Sequence, residues 1–381
     1  MKKLSIFIAL ILTLIFLTGC WDYSEIEDIA IASGMTVDLD ENGLYLVNVE
    51  LVDINPSTSG VDLSPLIVEA EGNTIIEAIR NIISISMKRV RWSHGSYVII
   101  SQEAAKKGLI PLVDWIARHP EARLTIHILV SKENTAKEIM LEERPFAKIR
   151  ALEFEKFVKS SHYLSKLPHV EVYRLINQIS NKNLYSVLPT IELKDINNKG
   201  YSKMMGSAYF AHGKLEGFLD SMETMKYLFI LDEIEGGLLI VPTGDNTDDK
   251  VSLDILKNKT HIDIDIEDDN ITFIININTT VNIAEVDNGV NYSDIEGRSS
   301  LKKIAEEFLE DELESFIRYT QKDIGLDIFG FGNMIRKKNK HVWKAIEENW
   351  DSIFKEVNVV VNSNIKIRNS EHISKSIKAD E

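Results

Sequence analysis

Apolar positions in this chain follow two different periods, and the switches between them lay out the elements. Residues 29–37 and 43–52 alternate as a strand pair around the turn Asp38-Leu39-Asp40-Glu41-Asn42-Gly43. Residues 55–63 are polar and carry Gly, Ser and Pro, which marks a loop. Over residues 74–88 the period lengthens: Ile75, Ile76, Ile79, Ile82 and Ile83 form one helical face. Residues 95–100 make a short apolar strand, and Ser101 caps a helix that starts near Gln102. Residues 109–118, 135–141, 148–159 and 170–179 read as helices, and 124–131 and 185–193 as strands. Asp195-Ile196-Asn197-Asn198-Lys199-Gly200 is polar and turn-rich, the best boundary between two halves.

The second half opens on a hairpin, residues 204–210 and 214–219 around Ala211-His212-Gly213, followed by a helix near 222–231. Three extended segments come next, at 251–256, 261–266 and 271–286, with Asp268-Asp269-Asn270 as the turn between the last two. A long helix over residues 299–323 buries Leu301, Ile304, Phe308, Leu313, Phe316 and Ile317, and the glycine-rich stretch 325–332 ends it. Residues 341–356 form a helix carrying Val342, Trp343, Ile346, Trp350 and Ile353, and a strand over 357–367 closes the chain. Strands and helices mix without a regular βαβ rhythm, so the expected class is α+β with mixed or antiparallel sheets in more than one domain.

The first residues change the picture. Met1-Lys2-Lys3 precedes an apolar run from Leu4 to Leu17, broken only by Ser5 and Thr13, and then Leu17-Thr18-Gly19-Cys20. A basic start and a short apolar segment are an export signal, and the run is shorter than the roughly 20 residues a spanning helix needs. Leu17-Thr18-Gly19-Cys20 matches the lipobox of bacterial lipoprotein precursors. Small Thr18 and Gly19 let a peptidase reach the bond before Cys20, and the Cys20 thiol takes a diacylglyceryl group. Buried acyl chains contribute about 0.8 kcal/mol per CH₂, enough to hold a folded domain on a membrane. The expected layout is a signal peptide over residues 1–19, an α+β region over 20–197, a second over 201–370, and a polar tail over 371–381.

Charge and composition narrow the partners. The formal net charge is −16; of the 43 basic residues Lys2 and Lys3 lie in the leader, which leaves 41 against 59 acids and −18 in the mature chain. Such a surface repels phosphate backbones, so nucleic acid is not an expected partner. Cys20 is the sole cysteine, which excludes an intramolecular disulfide and a cysteine-based zinc site. Motifs of nucleotide, zinc-hydrolase and serine-hydrolase chemistry are missing. His119 and His127 fall on different elements. Asp263, Asp265 and Glu267 open like a calcium loop, but Asp268 and Ile274 stand where Gly and Glu are required, and the acids read as the wet face of a strand. Asp245, Asp248 and Asp249 sit in a surface loop, and Gly330-Phe331-Gly332 reads as a tight helix connection with a phenylalanine in the core. No cofactor, metal site or catalytic constellation is expected. Trp21, Trp92 and Trp115 are aromatic enough for an interface, though core packing is the plainer assignment.

Four stretches share a pattern. The mature start reads Cys20-Trp21-Asp22-Tyr23-Ser24-Glu25-Ile26-Glu27-Asp28. Trp92-Ser93-His94 leads through Ser101-Gln102-Glu103-Ala104-Ala105-Lys106-Lys107-Gly108-Leu109 to Asp114-Trp115 and Arg118. Gly206-Ser207-Ala208-Tyr209-Phe210 faces Gly213-Lys214-Leu215-Glu216-Gly217-Phe218-Leu219, and Asp327-Ile328-Phe329-Gly330-Phe331-Gly332 precedes Trp343 and Trp350. In this order they resemble the Ger(x)C family, the lipoprotein C subunits of GerA-type nutrient germinant receptors of spore formers. One departure is His341-Val342, where the family often has a proline before the tryptophan. The resemblance implies a three-domain α+β fold and a non-catalytic subunit on the outer face of the spore inner membrane. It implies integral-membrane A and B subunits as partners, and of functional residues it carries over Cys20 alone. A lipid-anchored solute-binding protein of a transporter is the alternative; it would need two lobes and a hinge. Cys20→Ala is expected to block lipid attachment and processing after Gly19, shifting the protein to the soluble fraction; equal retention in the membrane pellet would refute the anchor.

Overall fold

The computed structural model describes Leu4, Glu25 and residues 28–368, apart from 58–59, 143–146, 180–184, 198, 245–248, 268–269, 288–289 and 293. Gly19, Cys20, Trp21 and residues 371–381 lie outside the described residues.

The first sheet has nine strands: β1 (Ile29–Leu39), β2 (Tyr45–Ser57), β3 (Gly60–Gly72), β4 (Arg89–Arg91), β5 (Tyr97–Ile100), β6 (His127–Ser131), β7 (Ser186–Ile196), β8 (Lys199–Ala211) and β9 (Lys214–Leu219). Their order is β3-β2-β1-β5-β6-β7-β8-β9, with β4 beside the start of β1. The run β1-β5-β6-β7 is parallel and both flanks are antiparallel. Tyr97-Val98-Ile99-Ile100 is apolar without alternation because β5 is covered on both faces. Val98 and Ile100 face one apolar cluster, built with α1 (Ile75–Asn81), α3 (Gln102–Lys107), α4 (Ile110–Arg118) and α7 (Val172–Ile179). A four-residue helix α2 (Ile83–Ser86) lies between α1 and α3 and buries none of its residues. Tyr97 and Ile99 face the opposite cluster, under α5 (Ala136–Leu141) and α6 (Arg150–Ser160). A Cβ on Gly34 would stand 2.2 Å from the Tyr97 ring, so only glycine leaves room for it on β1.

Polar side chains on that second face of β1 and β2 anchor the helices. The Asp38 carboxylate accepts from the amides of Ala136 (2.6 Å) and Lys137 (3.1 Å) at the start of α5. The fully buried Glu50 carboxylate accepts from the Arg150 amide at 3.1 Å, the Ser33 hydroxyl at 2.5 Å and the Tyr97 hydroxyl at 3.3 Å. These amides belong to the unpaired first turn of each helix, so the sheet supplies the caps.

The second sheet runs β10 (Leu238–Pro242), β11 (Lys250–Glu267), β12 (Asn270–Val286) and β13 (Asn358–Ile367) in that order. It packs with α8 (Ser221–Ile230), α9 (Ile295–Tyr319), α10 (Phe331–Lys338), α11 (Lys340–Ile346) and α12 (Trp350–Phe354). Its core takes in Val187, Ala211 and Leu219 of the large sheet, and a buried Ser207–Thr224 hydroxyl contact of 2.9 Å ties β8 to α8. The class is α+β with mixed sheets, as the pattern predicted. The polar segment Asp195–Gly200 joins β7 to β8 within one hairpin, so the large sheet runs on through it to Leu219.

Three expectations are corrected. Residues 55–57 and 60–63 are strand, not loop: β2 and β3 stay paired to Ser57 and Gly60, with 58–59 outside the described residues, and Pro65 is tolerated because β3 is an edge strand. Residues 251–256 and 261–266 are one strand, β11. A register shift between Ile255 and Lys257 moves the buried positions from odd (Val251, Leu253, Ile255) to even (Thr260, Ile264), which interrupts the alternation but not the pairing. The helices at 74–88 and 341–356 are each broken, the first at Ile82 and the second by the tight turn Glu347–Asn349. The turn residues Asp268 and Asp269 lie outside the described residues, between the paired Glu267 and Asn270.

Strand β13 is an edge, and unpaired edge amides invite strand addition. Here α9 closes it. Glu314 accepts from the Val361 amide (3.3 Å), Glu310 from Ser363 (2.6 Å) and Glu306 from Ile365 (2.7 Å). Four helical residues advance about 6 Å and two strand residues about 6.6 Å, so carboxylates at every fourth helix position meet every second amide. Glu310→Ala should lower stability by about 1–2 kcal/mol in urea unfolding, the scale of a hydrogen bond to a charged group. The outward Glu307→Ala should stay within about 0.5 kcal/mol; equal effects would mean that the carboxylate row does not hold the edge.

Candidate functional site

Of the residues to which the sequence assigns function, Gly19 and Cys20 lie outside the described residues. Where the chain enters the fold is described: the Asp28 amide donates to the Glu25 carbonyl at 3.1 Å, and Ile29 then pairs with Arg89 at the start of β1. The segment from Cys20 therefore joins the large sheet at the end where its parallel strands begin.

The acids read as a wet strand face sit on the second sheet. Asp263, Asp265 and Glu267 are exposed on β11, and Asp263 accepts from the Asn276 side-chain amide at 3.2 Å. Asp245 and Asp248 fall outside the described residues, and the Asp249 carbonyl accepts from the Thr243 amide. Among the described residues no group of three or more His, Cys, Asp or Glu side chains is placed to hold a metal ion. His119 follows α4 and His127 lies on β6; burial pushes both imidazoles below their ordinary pKa. A serine–histidine contact joins Ser161 Oγ and His169 Nε2 at 2.8 Å. The Ser161 hydroxyl also lies 2.8 Å from the Val158 carbonyl, so its single proton has two acceptors in reach and the His169 tautomer decides which it serves.

Two clefts open on the large sheet. One of about 780 Å³ is lined by Ile79, Arg80, Trp92, Asp114, Trp115 and Arg118. The other, about 680 Å³, lies between β1–β3 and α6, with Ile31, Val52, Leu63, His127, Leu152 and Lys159 in its wall. Trp92 and Trp115 are core residues, packed edge to face with ring centroids 5.0 Å apart. Asp114 and Arg118 form an exposed pair one helical turn apart, at 2.8 Å.

The closing motif forms a buried knot. Asp327 is 3% exposed, and its carboxylate accepts from the amides of Phe331 (2.9 Å) and Gly332 (2.8 Å) at the start of α10 and from Trp350 Nε1 (3.0 Å). Phe331 is fully buried and stacks on Phe273 at 4.2 Å. A Cβ on Gly332 would meet Trp350 Nε1 at 2.7 Å and the Trp343 ring at 2.8 Å, so the glycine is what lets both indoles close over α10. The sequence placed Phe331 in the core but missed the role of Asp327; the available signal was an aspartate just before a helix start. The Tyr185 hydroxyl donates to Asp351 on α12, which fastens the approach to β7 onto this knot.

Burial pushes the Asp327 carboxyl up to about 6, against the opposing pull of its donors. A raised folded value favours folding fully below the unfolded pKa, and that contribution is lost as pH rises through about 6. Above that pH the buried charge rests on its donors. Trp350→Phe removes one, so its cost in urea unfolding should be larger at pH 8 than at pH 5, by about 1–2 kcal/mol. A cost independent of pH would assign Trp350 to packing alone.

Comparison with known proteins follows the same layout. Residues 22–193 match the spore germination protein N-terminal domain, and residues 205–371 match the spore germination B3/GerAC-like C-terminal domain. The two matches meet at the β7–β8 hairpin, so the C-terminal family region contributes β8 and β9 to the large sheet. Spore germination protein KC of Bacillus subtilis (strain 168) is 24% identical, over 92% of this chain and 91% of its own length. Spore germination protein B3 of the same strain is 24% identical, over 97% of this chain and 98% of its own. The crystal structure of the GerBC protein superposes with a TM-score of 0.59 over 88% of this chain and 97% of that one, at 17% identity, which shows the shared fold. The chain belongs to the Ger(x)C family of spore germination proteins.

Proposed function

We propose that this chain is the lipid-anchored, non-catalytic subunit of a spore nutrient germinant receptor, tethered through Cys20 to the outer face of the spore inner membrane. Two integral-membrane subunits, A and B, are its partners in this reading. The observation that carries it is the pairing of a lipobox ending at Cys20 with family matches that begin at residue 22 and run to 371. Among the described residues no helix is long and apolar enough to cross a membrane, so the described part of the chain offers no helical span as an alternative attachment.

The physics favours a scaffold held beside its partners. A lipid tether converts encounter with membrane subunits into a local event at high effective concentration. The mature charge of −18 keeps the exterior soluble there.

A C-terminally tagged chain purified from spore membranes in mild detergent should bring two multi-span subunits with it. Recovery of a permease and an ATPase would move the assignment to a transporter's solute-binding protein, and recovery of neither set would leave the receptor assignment without support.

A further inference from the structure

The segment Arg80–Arg91 reads Arg-Asn-Ile-Ile-Ser-Ile-Ser-Met-Lys-Arg-Val-Arg: four cations and no acid, in a chain of net charge −16. The structure turns three of its five apolar residues outward. Ile82 is buried and pins the loop, while Ile83, Ile85 and Met87 are 43%, 55% and 87% exposed. Met87 sits at the end of α2 with φ +57°, a left-handed conformation where glycine is the usual residue. The backbone there carries a strained, bulky apolar side chain straight into solvent. Arg80 and Lys88 are exposed beside it, and among the described residues neither has an ion-pair partner. Arg89 is exposed too and reaches Glu121 at 3.3 Å.

The position of this loop selects its occupant. β4 pairs in parallel with β1, Ile29 beside Arg89, so Met87 and Lys88 precede β4 at the same end of the sheet where Asp28 leads into β1. Eight residue steps separate Cys20 from Asp28, a span of roughly 28 Å at most when fully extended. An acyl chain on Cys20 would therefore hold this loop within reach of the bilayer. Apolar side chains among lysine and arginine are the chemistry of an interfacial segment: the apolar groups enter the headgroup layer and the cations meet anionic lipid.

We infer that Ile83, Ile85 and Met87, flanked by Arg80 and Lys88, form the surface that rests on the membrane and sets the orientation of the tethered protein. The inference rests on the lipid-anchor reading. It also explains how an acidic protein lies against an anionic surface, since the facing loop is locally basic.

The sole cysteine makes the test selective. In the mature, lipidated full chain Cys20 has no free thiol, so Met87→Cys offers one labelling site for an environment-sensitive nitrobenzoxadiazole dye. Ile295→Cys, at an 80% exposed position that starts α9, serves as the reference. Both are reconstituted on vesicles of phosphatidylethanolamine and phosphatidylglycerol. The expected result is a blue-shifted, brighter emission at position 87, quenched by doxyl-labelled lipid, with no change at position 295. Arg80→Glu with Lys88→Glu should reverse most of the shift. If the protein floats with the vesicles yet the dye at 87 stays in water, the docking surface is wrong and the anchor stands. If the dye is protected only when the membrane subunits are added, the loop binds protein and the bilayer assignment is overturned. Failure to float, or labelling of the unsubstituted chain, sinks the anchor reading and this inference with it.

Discussion

Backbone amides that no carbonyl can reach are the constraint around which this molecule is built, and carboxylates meet them. A buried amide left alone costs about as much as a lost hydrogen bond. Asp38 and Glu50 reach from the large sheet to the first turns of α5 and α6. Asp327 does the same for α10 and binds the Trp350 indole as well. Glu306, Glu310 and Glu314 cover the outer amides of β13. Burial pushes Asp38 and Asp327 above the usual carboxylate range even so, which shows that desolvation outweighs the donors at both. The acidic balance of the chain is thus partly internal architecture and only partly a solvated surface.

How much of this was legible in the sequence follows from range. Period and capping are local, so Ser101 and most helix positions were readable, and Ser101 does accept the Ala104 amide expected of a cap. The break in β11 was read as two segments because a bulge changes which parity is buried, and parity is all a sequence displays. The strand β3 was hidden because Pro65 and its polar neighbours look like a loop unless the pairing with β2 is known. The carboxylate caps at Asp38 and Glu50 join residues about a hundred positions apart and leave no local trace. Ile83 illustrates the converse: its spacing matches the buried face of α1, but the helix breaks at Ile82 and the residue emerges into solvent.

The stretches that carry the family resemblance have structural work to do in the described part of the chain. Trp92 and Trp115 pack on each other, and Asp114 and Arg118 pair on the turn that presents Trp115. Gly206 adopts φ +84°, and a Cβ there would lie 2.8 Å from the Leu219 carbonyl, which fixes the β8–β9 junction. Asp327, Phe331, Gly332, Trp343 and Trp350 make one knot. The residues that carry the family resemblance therefore specify a shape in this chain.

In the proposed receptor subunit, such a shape acts through where it is held. Germination is the process in which its relatives are named, and the proposed subunit contributes to it by contact. Contact energy depends on orientation, since a rigid patch aimed away from its partner gains nothing from a high local concentration. A flexible tether supplies proximity without orientation. A second point of attachment removes most of the rotational freedom that binding would otherwise have to offset. With the proposed tether at Cys20, the exposed apolar and basic loop ahead of β4 is suited to that task, because it combines a position at that end of the sheet with the chemistry that a membrane surface demands.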